Sequence, residues 1–212
     1  MAEPTNGYCS LAEIRAQIGI TDATDTTDDT VLNQRVESIS RAIDYLTGTR
    51  FYATSADESR YYSTPHGQLF LCPDHILSIT TLQTDEDGDL DYDYTWSNTT
   101  DYILEPYNAA LETPPRPYTR IRTMVSGRYA FPTIPKGTKI TGKFGYSTAA
   151  NQPPQIKAAT LLAAQKLFMR KGAPFGIAGG ANSPLQLAAF IMMDRDVMDF
   201  IEPFKRMGVG AI

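Results

Sequence analysis

The chain has 212 residues, 42% of them hydrophobic, and a formal net charge of −5. That length makes one large domain or two small ones with a proper core, and no apolar run approaches the ~18 residues of a membrane-spanning helix. The charge is uneven: residues 1–150 hold 12 Lys+Arg against 20 Asp+Glu, and residues 151–212 hold 7 against 4. An acidic body with a mildly basic end argues against wrapping nucleic acid, which needs clustered cations to displace counterions. It fits a protein that touches other proteins, or one that must not stick to DNA passing nearby. No membrane partner is expected. The start MAEPTNGY lacks the basic and apolar parts of a signal peptide. Cys9 and Cys72 have no partner pattern and read as ordinary part-buried thiols in a reducing, cytosolic setting.

Residues 1–9 read as a loose lead. Ser10 followed by Glu13 is a capping-box pattern, and it opens a short helix to Ile18 that Gly19 stops. The linker TDATDTTDD at 21–29 is polar and acidic, hence surface loop. Asp28 or Asp29 can cap the helix that follows. In that helix Leu32, Val36, Ile39, Ile43 and Leu46 recur at alternating steps of four and three, an apolar seam on one face. Gly48 ends it, and Phe51 and Tyr52 can fold back on the seam. A seam of this kind needs a partner from elsewhere in the chain.

From residue 59 glycine, proline, threonine and aromatics rise and helical periodicity disappears. Strands are expected at 61–62, 69–71, 76–82, 92–96, 102–104, 119–122 and 139–146, punctuated by prolines and glycines such as Pro73, Gly88 and Pro106. Residues 59–147 thus read as a small antiparallel sheet or open barrel inserted between helices. Helical texture returns at Pro153 and Pro154, which suit a first turn. Ile156, Ala159, Thr160, Ala163, Ala164, Leu167 and Phe168 make a wide face of small residues, the partner the seam needs. Arg170 and Lys171 sit in the last turn and Gly172 ends it. Residues 185–193 are apolar and of either type. Asp194 can cap a last helix through Glu202. The expected fold class is α+β: a helical bundle core from 1–58 and 148–172, an inserted β domain at 59–147, and a hinge with a C-terminal docking arm at 173–212.

Chemistry-bearing patterns are weak. The acids Asp85, Glu86, Asp87, Asp89, Asp91 and Asp93 invite a calcium loop, but with Gly88 at position six of an EF-hand, Gln83 and Tyr94 occupy the two end-ligand positions and fail. A hairpin turn with Asp87 and Gly88 at its tip fits better. His66 and His75 lack a third ligand at a usual spacing. A Cys72/His75 hydrolase has no feature that would lower the thiol pKa. The glycines around 176–180 lack the lysine of a phosphate loop and read as a hinge, with Gly172, Gly176, Gly179 and Gly180 as its pivots. The mid-chain aromatics (Tyr61, Tyr62, Phe70, Tyr92, Tyr94, Trp96, Tyr102, Tyr107 and Tyr118) are either a carbohydrate face or, better supported, cross-strand pairs and core. No cofactor, metal or catalytic residue is assigned. The alternative function is a calcium- or carbohydrate-binding β module on a helical scaffold. The last segment, with Val197, Phe200, Ile201 and Phe204 before Lys205, Arg206 and the apolar Ile212, should bury its apolar side. It does so either on its own domain or in the groove of a partner.

The ends of the chain carry a resemblance. Asp28 and Asp29, then YLTGTRFY at 45–52, GKFGY at 142–146, PPQIKAA at 153–159, LFMRK at 167–171, APFG at 173–176 and residues 194–204 with Pro203 come in an order similar to head–tail connector (adaptor) proteins of long-tailed bacteriophages. The resemblance covers most of the chain through degenerate patterns. It implies a non-enzymatic ring of copies of the chain, dodecameric, under the capsid portal in the virion neck, built in the host cytoplasm. The ring would continue the DNA channel, with DNA passing through the lumen without specific binding. Val197, Phe200, Ile201, Phe204, Lys205, Arg206 and Ile212 would dock on the portal. The hairpin at Asp87 and Gly88 would face the stopper or tail-completion protein. The polar side of the seam helix, with Arg35, Glu37, Arg41 and Asp44, would meet the next subunit.

Overall fold

The computed structural model describes residues 3–65, 67, 69–113, 115–148, 151–170 and 184–206. The class is α+β. The chain divides into two units, Met1–Tyr52 with Gln152–Ile212, and Ala53–Asn151 between them.

The first unit is helical: α1 Leu11–Ile18, α2 Asp29–Thr47, α3 Pro154–Met169, α4 Pro184–Met192 and α5 Arg195–Ile201, then a 3-10 turn Glu202–Phe204. In α1 the Ser10 hydroxyl accepts from Glu13 N, the Glu13 carboxylate accepts from Ser10 N, and Gly19 ends the helix at φ 85°. Both α1 and α2 stop on a glycine in the left-handed region, a backbone conformation that residues with a side chain adopt only under strain; Gly48 sits at φ 63°. Neither expected aspartate cap of α2 forms as proposed. Asp28 makes no side-chain capping bond, and Asp29 turns instead to the buried guanidinium of Arg15. A charge taken out of water is better served by an opposite charge than by an amide dipole.

α2 is the hub. Leu32, Val36, Ile39 and Ile43 are fully buried, and Leu46 is half-buried. The helix packs on α1, on α3 and on α4, so its seam has more partners than the one expected. Ile156, Ala159, Ala163 and Ala164 of α3 are buried, and such small residues let two helix backbones approach closely. The segment of undecided type, 185–193, is largely α4, with Leu187, Ala188 and Ile191 buried. α5 starts on Asp194, whose carboxylate accepts from Val197 N. Among the described residues no helix is long and apolar enough to cross a membrane.

The second unit is one antiparallel sheet of six strands: β1 Glu58–Tyr62, β2 Leu69–Thr84, β3 Tyr94–Trp96, β4 Tyr102–Glu105, β5 Tyr118–Thr123 and β6 Thr138–Phe144. The order is β1-β6-β2-β5-β4, and β3 also pairs with β2. Two of the expected strands, 69–71 and 76–82, are one strand. Pro73 does not break β2; the pairing with β5 shifts register between Leu71 and Ile76 instead, which lets the missing amide fall at an irregularity. β2 shifts again against β6 between Ile76 and Ser78 and between Ile79 and Thr81. There the backbones come so close that a Cβ on Gly142 would lie 2.1 Å from the Ser78 carbonyl oxygen.

Aromatics fill the interior of the sheet. Phe131 stacks on Trp96 at 4.9 Å and tilts against Phe70 at 5.6 Å, and Phe70 meets Tyr62 at 5.5 Å. Trp96 Nε1 donates to Thr84 Oγ1 at 2.9 Å, which satisfies the one polar atom of the buried indole.

Candidate inter-subunit and docking surfaces

The expected inter-subunit residues of α2 serve the chain's own lead. Glu37 accepts from Thr5 N at 2.6 Å, Arg41 donates to the Asn6 carbonyl at 3.0 Å, and Ser40 Oγ accepts from Tyr8 N at 3.1 Å. The Tyr8 hydroxyl donates to Asp44 and accepts from Phe51 N. Arg41 also pairs with Asp44 at 3.0 Å and lies over the Tyr52 ring at 4.5 Å. Arg35 is half-buried. A Cβ on Gly7 would come within 2.9 Å of Val36 Cγ1, so the lead lies directly on the helix. Residues 3–9 are therefore held on the helix rather than loose, with Tyr8 and Cys9 buried. Burial pushes the Asp44 carboxyl up to about 6, with the Tyr8 hydroxyl and Arg41 pulling the other way. Burial, with Glu13 nearby, pushes the Cys9 thiol up to about 12.

The expected portal-docking residues fall into three groups. Val197 and Ile201 are fully buried in the helical unit, where α5 packs on α3 and α4. Phe204 rests edge-on against Phe51 at 5.6 Å, and Arg206 N donates to the Thr47 carbonyl at 2.9 Å. Phe200 stays exposed, and Lys205 pairs with Glu202. Ile212 and the hinge glycines Gly172, Gly176, Gly179 and Gly180 lie outside the described residues.

Sequence reasoning missed an open groove of about 750 Å³ in the helical unit, lined by Leu162 and Met169 of α3, Phe190 of α4, Met193, Lys166 and Arg170. Met193 is 88% exposed, and Met169 and Met192 are 62% exposed. Lys166 donates to Asp194 at 2.6 Å, which raises its pKa, and has Asp196 at 3.7 Å. Arg170 lies over the Phe190 ring at 4.6 Å. The signal was partly present, since Met169 stands at the end of the α3 pattern and Met192 and Met193 end the 185–193 run. Exposure, however, is not written in a periodicity.

In the β unit, Asp87 and Gly88 lie in the connection between β2 and β3, which pair from Leu82–Trp96 to Thr84–Tyr94. The carboxylate oxygens of Asp85, Asp87 and Asp89 lie within 4.8 Å of one another. Asp85 is buried and accepts from Gly88 N at 2.8 Å, Leu90 N at 2.9 Å and Asp87 N at 3.1 Å. Those amides, the Gly88 one foremost, hold its pKa below the usual carboxylate value against the effect of burial. The loop thus has a keystone of its own. Cys72 is fully buried, and His75 packs edge-on against Tyr146 at 5.3 Å; His66 lies outside the described residues. Trp96 and Tyr62 belong to the core, while Tyr61, Tyr94 and Tyr107 are exposed.

No protein-family model matches the sequence, and no curated protein matches it. Solved structures do. A chain from the neck of an empty GTA particle, computed with C6 symmetry, superposes with a TM-score of 0.60 at 16% identity, covering 100% of this chain and 96% of that one. A chain from the neck of a native GTA particle, computed with C12 symmetry, gives 0.55 at 17% identity over 95% and 91% of the two chains. A chain from the virion of a native gene transfer agent (GTA) particle gives 0.52 at 17% identity over 100% and 96%. The chain has the fold of these particle proteins. The likeness runs through both units and their order along the chain.

Proposed function

We propose that this chain is a structural, non-enzymatic subunit of a phage-type neck ring, the adaptor that joins the capsid portal to the stopper or tail-completion protein and continues the DNA channel. One observation carries the reading: a near end-to-end likeness to chains from particle necks, two of them in reconstructions computed with C6 and C12 symmetry. A dodecamer is the stoichiometry that reading favours. The acidic balance of residues 1–150 suits a lumen through which phosphates slide without binding. α5 has its apolar side engaged within its own unit, so we assign portal contact to the chain from Lys205 onward, and stopper contact to the β2–β3 connection at Asp87 and Gly88.

Native mass measurement and negative-stain imaging of the purified protein, alone and mixed with portal, test this. Rings in either sample are expected. Monomers in both would overturn the reading. Deleting residues 205–212 should leave ring formation intact and abolish portal binding, and unchanged portal binding would remove that assignment. Calorimetry with Ca²⁺ separates the alternative of a calcium-binding β module, which predicts a micromolar signal that the neck reading does not require.

A further inference from the structure

We propose that residues 3–9 position the C-terminal segment for the portal, because Tyr8 and the stretch Phe204–Arg206 are seated on the same two features, the last turn of α2 and the Phe51 ring. This rests on the assignment of portal contact to the chain from Lys205 onward. It makes Tyr8 a positioning residue for that contact, acting from a distance.

The seat lies at the end of α2. Asp44 and Thr47 stand one turn apart there, Gly48 stops the helix, and Phe51 follows, fully buried. Tyr8 reaches it from the N-terminal side. Its hydroxyl donates to Asp44 and accepts from Phe51 N at 3.0 Å, and its ring meets the Phe51 ring edge-on at 5.6 Å. Phe204 and Arg206 reach it from the C-terminal side. The Phe204 ring also meets Phe51 edge-on at 5.6 Å, and Arg206 N donates to the Thr47 carbonyl at 2.9 Å. The two ends of the chain therefore hold one ring and one helix turn between them.

Edge-on aromatic contacts depend on the orientation of both rings. Tyr8 fixes Phe51 twice, at its backbone N–H and at its ring, so losing Tyr8 frees Phe51 to turn and loosens what Phe204 rests on. Side chains that share a partner are coupled in energy, and the coupling is reciprocal. The contacts of α2 with the lead set the place of Tyr8. Glu37 holds Thr5 N, Arg41 holds the Asn6 carbonyl and Ser40 holds Tyr8 N. Gly7 has no room for a Cβ, which would lie 2.7 Å from Pro4 Cβ and 2.9 Å from Val36 Cγ1. The charged side chains of α2 thus serve the C-terminal segment through the lead.

The test follows backbone amide exchange in the full chain, residue by residue. In Tyr8→Ala the Arg206 amide should exchange about tenfold faster relative to the Ile201 amide of α5. In Phe204→Ala the Tyr8 amide should speed up relative to Ile201 in the same way. Ser10→Ala, which weakens the unit through the α1 cap, should leave both ratios unchanged. A role confined to general stability moves all these amides together, so unchanged ratios in Tyr8→Ala and Phe204→Ala would overturn the proposal. Phe204 is only half-buried, so its variant decides the matter should Tyr8→Ala not fold. Portal binding is the second readout. Tyr8→Ala should raise the concentration for half-binding about tenfold with ring formation intact, and an unchanged affinity would overturn the positioning role. A parent chain that binds portal equally well with and without residues 205–212 would overturn the portal assignment, and the exchange ratios would still decide whether the two ends share a seat.

Discussion

The helical and β units bury their apolar surface with different materials, and their remaining surfaces differ accordingly. The helical unit uses aliphatic seams of one residue per turn, closed by a lead that crosses α2 on hydrogen bonds. This unit leaves Met169, Met192, Met193 and Tyr45 outside its core. The β unit packs Phe70, Trp96, Phe131, Phe144 and Tyr62 into one cluster under a sheet whose strands touch backbone to backbone at Gly142. Its largest rings are used inside, where contact geometry is exacting. The unit with the aliphatic core keeps the methionine-lined groove. The unit with the aromatic core keeps an acidic turn held by its own backbone amides.

The contrast can be broken most sharply at Gly142. Gly142→Ala drives a methyl group against the Ser78 carbonyl and should cost on the order of 4 kcal/mol or more, among the largest effects expected of a point change. Trp96 is the only tryptophan and sits in the β core, so its fluorescence during denaturant unfolding reports that unit. A midpoint equal to the parent's would mean the strands do not approach so closely. Phe131→Ala, which removes the ring shared by Phe70 and Trp96, should cost about 3–5 kcal/mol in the same signal. Ile39→Ala, in the α2 seam, should cost about 2–5 kcal/mol and lower the far-ultraviolet helical transition first. If both variants shift both signals equally, the two units unfold as one.

Asp44 sharpens the comparison through pH. Its folded pKa of about 6 stands above the unfolded value of 3.8, so the folded state holds the proton more tightly. Stability from this group is highest in acid and falls as pH rises from about 4 to about 6, by roughly 3 kcal/mol. Asp44→Asn should flatten that part of the helical unit's stability profile while leaving the Trp96 signal's profile unchanged. An identical slope in the variant would show that another group titrates there. The smallest expected effect is at the start of α1. Ser10→Ala removes half of the capping box and should cost about 1 kcal/mol, measurable as a small drop in the helical midpoint.

Much of the helical unit was legible because its causes are local. A seam at steps of three and four in α2, a capping box within four residues in α1 and a glycine at the C-terminal end of each decide α1 and α2 from neighbours in sequence. The β unit was legible as a class and blurred in detail. The two expected pieces of β2 joined because a register slip against β5 accommodates Pro73, and a slip is a property of two strands. Residues 185–193 were undecided because a short apolar run suits a strand or a buried helix alike; packing on α2 decided it.

The candidate surfaces were the least legible part. Glu37 and Asp44 read as charges for a neighbouring subunit, yet their partners sit 32 and 36 residues away in the lead. Val197 and Ile201 read as docking anchors because a helix pattern says which residues share a face, and not what that face meets. Met169 ends α3 and Met193 follows α4, and they line one groove only when those elements come together. The sequence by itself determined the presence of α1, α2, α3 and α5, the glycine stops of α1 and α2, the α+β class and the place of the sheet in the chain, since each follows from propensity and period within a dozen residues. Only the tertiary structure decided which apolar and charged faces the chain consumes itself and which remain for a partner, because exposure is set by elements distant in sequence.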